Sequence, residues 1–294
     1  MIPEVIKNQI KNYGDDELSI FNDIFYKKSF FEKNLGQYGF IKQKFDASNY
    51  DFPEITRKII SDIIDKNLDC PLEEIHNNID PKFLEIIEDG LTTKLQFLFY
   101  DHVERFRNIY LNFLKKTIRP IIGKDFYFQQ NPTFRIFFPN PNWHSFSKAF
   151  YHTDLFLGHP LEMINIWMPI TKCYSSNSIS YTALDTSKKY YEKSNSNFFD
   201  FYKNYYDNKT NFYNNLKSLL QTFDAEYGEF MCFDSKCLHG TSENKTDITR
   251  ISIDFRVLPA DDISQFKIDY RGTGRKKMQM IPGEYYSSVT IDNL

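Results

Sequence analysis

The chain has 294 residues, 41% hydrophobic and 26% charged. That is enough apolar side chain for one large folded domain and too little net charge for a disordered one. Its 36 Lys and Arg against 39 Asp and Glu leave a net charge of −3, which speaks against a general nucleic-acid binder, whose domain would carry a clear basic excess.

Residues 1–120 read as helical. Ile59, Ile60, Ile63 and Ile64 mark a short amphipathic helix. Leu91, Leu95, Leu98, Phe99, Val103, Phe106, Tyr110 and Phe113 then recur three and four apart, which predicts one helix over 91–114 that Pro120 stops. From Phe126 the pattern changes to short segments rich in β-branched and aromatic residues. They are FYF (126–128), TFRIFF (133–138), KAFYHTD (148–154), EMINIWMPI (162–170), SISYTAL (178–184), EFMCFD (229–234) and RISIDFRVL (250–258), with turn residues such as PNPN (139–142) and GHP (158–160) between them. So many short strands predict a mainly β fold with a helical N-terminal region. Its core, over 121–270, is expected to be a double-stranded β-helix, the jelly-roll or cupin-like barrel. The helices of 1–120 would pack on this core to cover their apolar faces, making one domain. A Lys-, Asn- and Tyr-rich insert at 186–222 reads as a partly helical excursion, and 271–294 as a C-terminal extension.

The first thirty residues contain no apolar signal region, and no run approaches the roughly 18 apolar residues of a membrane span, so a cytoplasmic location without membrane contact is expected. Cys70, Cys173, Cys232 and Cys237 form no C-x-x-C pair and read as small apolar residues, not as a disulfide framework.

Chemistry concentrates around Tyr151-His152-Thr153-Asp154. In a strand, residues two apart share a face, so His152 and Asp154 would project together. A lone H-x-D is weak, and the ordinary alternative is a core His bonded to its neighbouring Asp. A second His, His239, follows the strand EFMCFD. Two His and one carboxylate on one face of a jelly roll make the facial triad of non-haem Fe(II) oxygenases, which leaves coordination positions open for a co-substrate and oxygen. Arg250 and Ser252 lie two apart further on. A guanidinium fork and a hydroxyl on one strand face can bind a carboxylate, although Arg250 could instead pair with Asp254.

The order H-x-D, H, R-x-S resembles the Fe(II)/2-oxoglutarate-dependent dioxygenases. Within them it is most similar to the phytanoyl-CoA-hydroxylase-like group, particularly bacterial hydroxylases of antibiotic and carbohydrate gene clusters, the streptomycin-cluster type. The resemblance is carried by FYHTDLFLGHPLEMINIWMPIT (150–171) and GEFMCFDSKCLHGTSENKTDITRISIDFRVLP (228–259), with IPGEYYS (281–287) as a further stretch. It implies that His152, Asp154 and His239 hold Fe(II) and that Arg250 and Ser252 take the distal carboxylate of 2-oxoglutarate. It further implies that O2 is consumed with release of succinate and CO2, most simply to hydroxylate a small polar metabolite. In related halogenases a small residue replaces the carboxylate ligand, so the presence of Asp154 disfavours halogenation.

Asn165 and Trp167 share a strand face. A polar Asn in so apolar a run needs a buried partner, either an ordinary backbone contact or 2-oxoglutarate. Trp167, Arg135 and Arg256 are candidate substrate contacts, and either Arg could close a salt bridge instead. The excess of Lys in the insert points to an anionic substrate, with a solvated surface loop as the plainer alternative. His159 and His144 lack ligand spacing, and His76 and His102 read as structural. A metal-only cupin that does not use 2-oxoglutarate would need no Arg250/Ser252 pair. A non-catalytic binding barrel would need no triad.

Overall fold

The computed structural model describes residues 25–87, 92–139, 151–157, 159–195, 198–207, 211–261 and 280–294. The short helix α1 (Phe30–Asn34) starts at a capping box: the Ser29 hydroxyl accepts from the Glu32 backbone, and the Glu32 carboxylate accepts from that of Ser29. A strand follows where the sequence reads as helical, β1 (Phe40–Lys44). The helix expected around Ile59 is α2 (Phe52–Ile64), with Pro53 in its first turn and Ile59 and Ile60 buried.

The single helix expected over 91–114 is instead a relay. It runs through α3 (Lys94–Phe99), a 3-10 stretch (Tyr100–Phe106), α4 (Arg107–Phe113), a π-helical turn (Leu114–Ile118) and α5 (Arg119–Ile122). Pro120 does not stop it. The π turn restarts the helix at Arg119, placing Pro120 in a first turn, where its missing N–H goes unneeded. Gly123, left-handed at φ 72°, ends the run.

The described residues form two antiparallel sheets. In the six-stranded sheet the order is β1, β7 (Glu229–Asp234), β4 (Ile164–Pro169), β9 (Arg250–Pro259) and β2 (Phe126–Phe128), with β3 (Thr133–Phe137) also on β9. β5 (Ser180–Tyr181), joined by β6 (Gln221–Thr222) and β8 (His239–Gly240), forms the smaller sheet. Segment 178–184 thus contributes only a two-residue strand, and α6 (Leu184–Glu192) begins at its end. The insert is helical as expected, continuing with α7 (Phe198–Tyr206) and α8 (Phe212–Leu219). Because β1 lies at the sheet edge on β7, the region before 120 also supplies part of the sheet.

Alternation along the strands divides the large sheet into two faces. Ile164, Ile166, Met168, Phe230, Cys232, Ile251, Ile253, Phe255 and Val257 point to the helices and pack with Phe52, Ile59, Phe99, Phe106, Tyr110 and Phe113 in the main core. Each such side chain contributes about 1.5–3 kcal/mol by leaving water. The other face carries Asn165 and Trp167 from β4 and Arg250, Ser252, Asp254 and Arg256 from β9. Across the ladders Asn165 stands opposite Phe233 and Arg256, and Trp167 opposite Met231 and Asp254. Gly39 lets the chain enter β1 close beneath this region. It has φ 83°, and a Cβ there would lie 2.7 Å from both Cys237 Sγ and the Leu184 Cβ, so only Gly fits. All four Cys are free thiols, three of them buried.

Candidate active site

His152 and His239 face each other across an isolated antiparallel bridge. Each backbone N–H donates to the other's carbonyl at 3.0 Å, and their rings lie 4.5 Å apart. The strand expected over 148–154 is not formed in its described part. His152 sits in the bridge, and Asp154 opens a 3-10 turn, Leu155–Leu157, whose last N–H donates to the Asp154 carbonyl. The two side chains nonetheless converge. Asp154 Oδ1 lies 3.4 Å from His152 Nε2 and 4.0 Å from His239 Nε2, and one donor atom from each of the three residues falls within 4.8 Å of the others. Three ligand atoms on one ion would stand roughly 3 Å apart at the usual metal–ligand distances of about 2.1 Å, so a small contraction completes the site.

The chemistry of the donors suits a cation. His239 Nδ1 lies 3.0 Å from the Cys237 carbonyl; donating there fixes the tautomer and leaves the Nε2 lone pair for a ligand bond. Burial and the neighbouring His152 push the His239 pKa down to about 4, so its ring is neutral at pH 7. Burial by itself would raise the Asp154 pKa, but Arg256 and the adjacent His152 ring hold it well below the usual carboxylate range. Asp154 is therefore ionised, and its Oδ1, buried and aimed at both imidazoles, has no hydrogen-bond partner among the described residues. Together, His152, Asp154 and His239 can hold one metal ion.

A second group of polar atoms, on β4 and β9 of the large sheet, lacks hydrogen-bond partners among the described residues: Arg250 Nε and Nη1, Ser252 Oγ and Asn165 Nδ2. Arg250 is 1% exposed, with its guanidinium over the Phe137 ring at 4.1 Å. Burial lowers its pKa to about 10, which keeps it charged at neutral pH. It does not pair with Asp254. That carboxylate is taken by Arg135 Nε at 3.2 Å and Arg256 Nη1 at 2.8 Å. A buried cation and a buried hydroxyl without partners are costly, and a ligand carboxylate would satisfy both.

Other candidates fall differently. Arg135 and Arg256 both stand in ion pairs. Arg256 reaches Asp154 Oδ2 at 3.2 Å, which puts it against the proposed metal ligand and not at a free substrate-facing position. Trp167 is 3% exposed and packs with Ile179, Phe223 and Met231, a core position where a substrate contact was expected. The insert's cations are partly engaged elsewhere: Lys188 pairs with Glu32, and Lys193 lies over the Tyr190 ring. His159 faces Tyr285 and Tyr286, and His76 bonds the Thr249 hydroxyl. His144 and the turn at 140–142 lie outside the described residues, as do 148–150 of the expected strand, Gly158 and 271–279 of the extension. Of the residues around Arg256, Asp254 was read only as a possible partner of Arg250, and Gln129 and Tyr285 went unread. Asp254 was discoverable from the two-residue period of β9. Gln129 and Tyr285 carry no local signal, because only the pairing of 129 with 286 brings them in.

Among proteins of known annotation, the chain is 26% identical over 210 residues to the streptomycin biosynthesis protein StrG of Streptomyces griseus, covering 69% of this chain and 79% of that one. No protein-family model matches the chain. Similar solved structures include EctD from S. alaskensis in its apo form, at 10% identity and TM-score 0.48 over 89% of this chain and 87% of that one. Another is the non-haem alpha-ketoglutarate-dependent epimerase SnoN from nogalamycin biosynthesis, at 9% identity and TM-score 0.45 over 91% and 98%. Among the described residues no helix is long and apolar enough to cross a membrane.

Proposed function

We propose that this chain is an Fe(II)- and 2-oxoglutarate-dependent oxygenase of the phytanoyl-CoA-hydroxylase-like group, built on a double-stranded β-helix, that hydroxylates a small polar metabolite. The observation that carries the reading is the presence of two sets of buried polar atoms without hydrogen-bond partners among the described residues: Asp154 Oδ1 between two imidazoles, and Arg250 Nε and Nη1 with Ser252 Oγ on β9. A metal-only cupin accounts for the first set and leaves the second unexplained.

His152, Asp154 and His239 would hold the iron, which when bound supplies the activation of O2 at the expense of 2-oxoglutarate. Overall, substrate C–H, O2 and 2-oxoglutarate become C–OH, succinate and CO2. Arg250 would pair with the distal carboxylate of 2-oxoglutarate and Ser252 would donate to it, while Asn165 Nδ2 would donate to the end nearer the metal. The Phe137 ring, which lies against the Arg250 guanidinium, would keep water away from this carboxylate pair, strengthening it. Arg135, half exposed at the end of the Asp254 pair, is the better placed of the substrate candidates, since Trp167 is packed and Arg256 is paired. The relative's name, which places it in streptomycin biosynthesis, favours a substrate of that polar kind.

The test is succinate formation by iron-loaded protein supplied with 2-oxoglutarate, O2 and candidate polar metabolites. Arg250→Ala should raise the 2-oxoglutarate requirement by the equivalent of about 2–5 kcal/mol, the cost of stranding a buried carboxylate, and Lys should restore only part because it lacks the fork. Wild-type protein that never forms succinate, with every candidate substrate tried, would overturn the reading in favour of a metal-only cupin.

A further inference from the structure

We propose that Arg256 is the positioning residue of the metal centre: it grips one oxygen of Asp154 so that the other is presented to the ion. The proposal rests on the reading of His152, Asp154 and His239 as metal ligands.

The two oxygens of Asp154 have different surroundings. Oδ2 accepts from Arg256 Nε at 3.2 Å. Oδ1 faces both imidazoles and has no hydrogen-bond partner among the described residues. Asp154 sits at the mouth of a 3-10 turn, not in a ladder, so strand geometry does not dictate how its carboxylate is rotated. Arg256, by contrast, belongs to β9, the longest strand among the described residues, and is fixed by its register opposite Asn165.

The head group of Arg256 is itself bracketed. Its Nη1 donates to Asp254 Oδ1 at 2.8 Å and to Gln129 Oε1 at 3.3 Å. Gln129 Oε1 also accepts from the Tyr285 hydroxyl at 2.8 Å, and the second oxygen of Asp254 takes Arg135. Asp154, Arg256, Asp254 and Arg135 therefore form a ladder of alternating charge leading from the metal ligand to a half-exposed guanidinium. Each inner charge meets an opposite one, so the planar fork of Arg256 is held in a single orientation.

Charge and position make opposite predictions here, which is what makes the role testable. By charge alone, a cation beside a metal ligand repels a divalent ion, and its removal should tighten binding. As a positioning group its loss should weaken binding, by about 10–100-fold, the usual effect of removing a partner that orients a metal ligand.

The experiment titrates metal-free protein with Co(II), which reports on its ligands by absorption and needs no turnover. Arg256→Met should bind Co(II) about 10–100-fold more weakly than wild type. Its ligand-field spectrum should change as Asp154 loses its fixed single-oxygen presentation. Arg256→Lys keeps the charge but replaces the rigid planar fork by a single ammonium on a flexible stem. It should fall between the two, and it carries the test if the Met variant does not fold. Unchanged or tighter Co(II) binding with an unchanged spectrum in either folded variant would overturn the proposal. So would normal Co(II) binding with weakened 2-oxoglutarate binding, which would assign Arg256 to the co-substrate. Wild-type protein that takes up no Co(II) would overturn the metal reading itself, and this proposal with it.

Discussion

His239 shows how burial prepares a ligand. An imidazole in an unfolded chain titrates near 6.5, whereas burial and His152 bring that of His239 to about 4. Between these values the unfolded chain binds a proton that the folded one refuses. Stability is therefore full above pH 6.5 and falls as pH drops toward 4, by about 3 kcal/mol over the whole window. Calorimetry on metal-free protein should show the melting temperature declining steadily below pH 6.5, and His239→Gln should flatten the decline. An equally steep decline in that variant would show that other groups carry it. The same burial makes Arg250 informative, since a charged guanidinium at 1% exposure whose Nε and Nη1 find no hydrogen-bond acceptor among the described residues calls for an anion.

At the level of elements, the corner that carries His239 is held by contacts from outside the sheet. Asp234, at the end of β7, accepts from Ser29, the N-cap of α1. Lys236, fully buried, pairs with Glu32 of the same helix, and Glu32 also pairs with Lys188 of α6. One carboxylate thus joins α1, the insert and the turn leading to β8. Glu32→Ala would leave the Lys236 ammonium buried without its counter-ion, and breaking such a pair from one side costs about 3–5 kcal/mol. Urea unfolding followed by far-ultraviolet circular dichroism should show this loss. A change under 1 kcal/mol would mean that Lys236 finds water or another acceptor. The short length of α1 makes the point sharper, because five residues of helix are not stable by themselves.

At the level of the whole molecule, the C-terminal segment is tied to both layers. Asp292 takes Arg119 through two N–H groups, at 2.9 and 2.8 Å, and the Leu294 carbonyl accepts from Lys115. Ser287 exchanges hydrogen bonds with Phe128, Tyr285 reaches Gln129, and Tyr286 faces His159. Removing 281–294 should lower the melting temperature by several degrees, since each kcal/mol lost shifts it by about 2–4 °C in a large domain. It should also weaken Co(II) binding, because Gln129 loses Tyr285 and Arg256 loses part of its bracket. A truncated protein with wild-type metal affinity would show that Asp254 is enough to hold Arg256.

The sequence by itself determined what depends on local period and on residue type. Alternation in RISIDFRVL places Arg250, Ser252, Asp254 and Arg256 on one face, and that in EMINIWMPI places Asn165 and Trp167 together. Pleating enforces both wherever those segments are extended. The three candidate metal ligands were legible as residue types at plausible intervals. What only the tertiary structure decided depends on which chains lie side by side. The residues at 148–154 hold alternating strand-like types, yet His152 is placed by a single bridge to His239 and Asp154 by a turn, because the β8 partner is only two residues long. β1 was invisible because FIKQK is too short and too polar to declare itself; it becomes a strand by lying on β7. Pro120 was misread because a π turn, which no local pattern announces, moves it into a helix's first turn. Arg256 shows the division most plainly. Its face was readable from the period of β9, while its partners, Asp154, Gln129 and Tyr285, come from distant parts of the chain and meet it only through register and docking. Local periodicity sets the direction of a side chain, but the free energy of burying a charge depends on what the rest of the molecule places beside it.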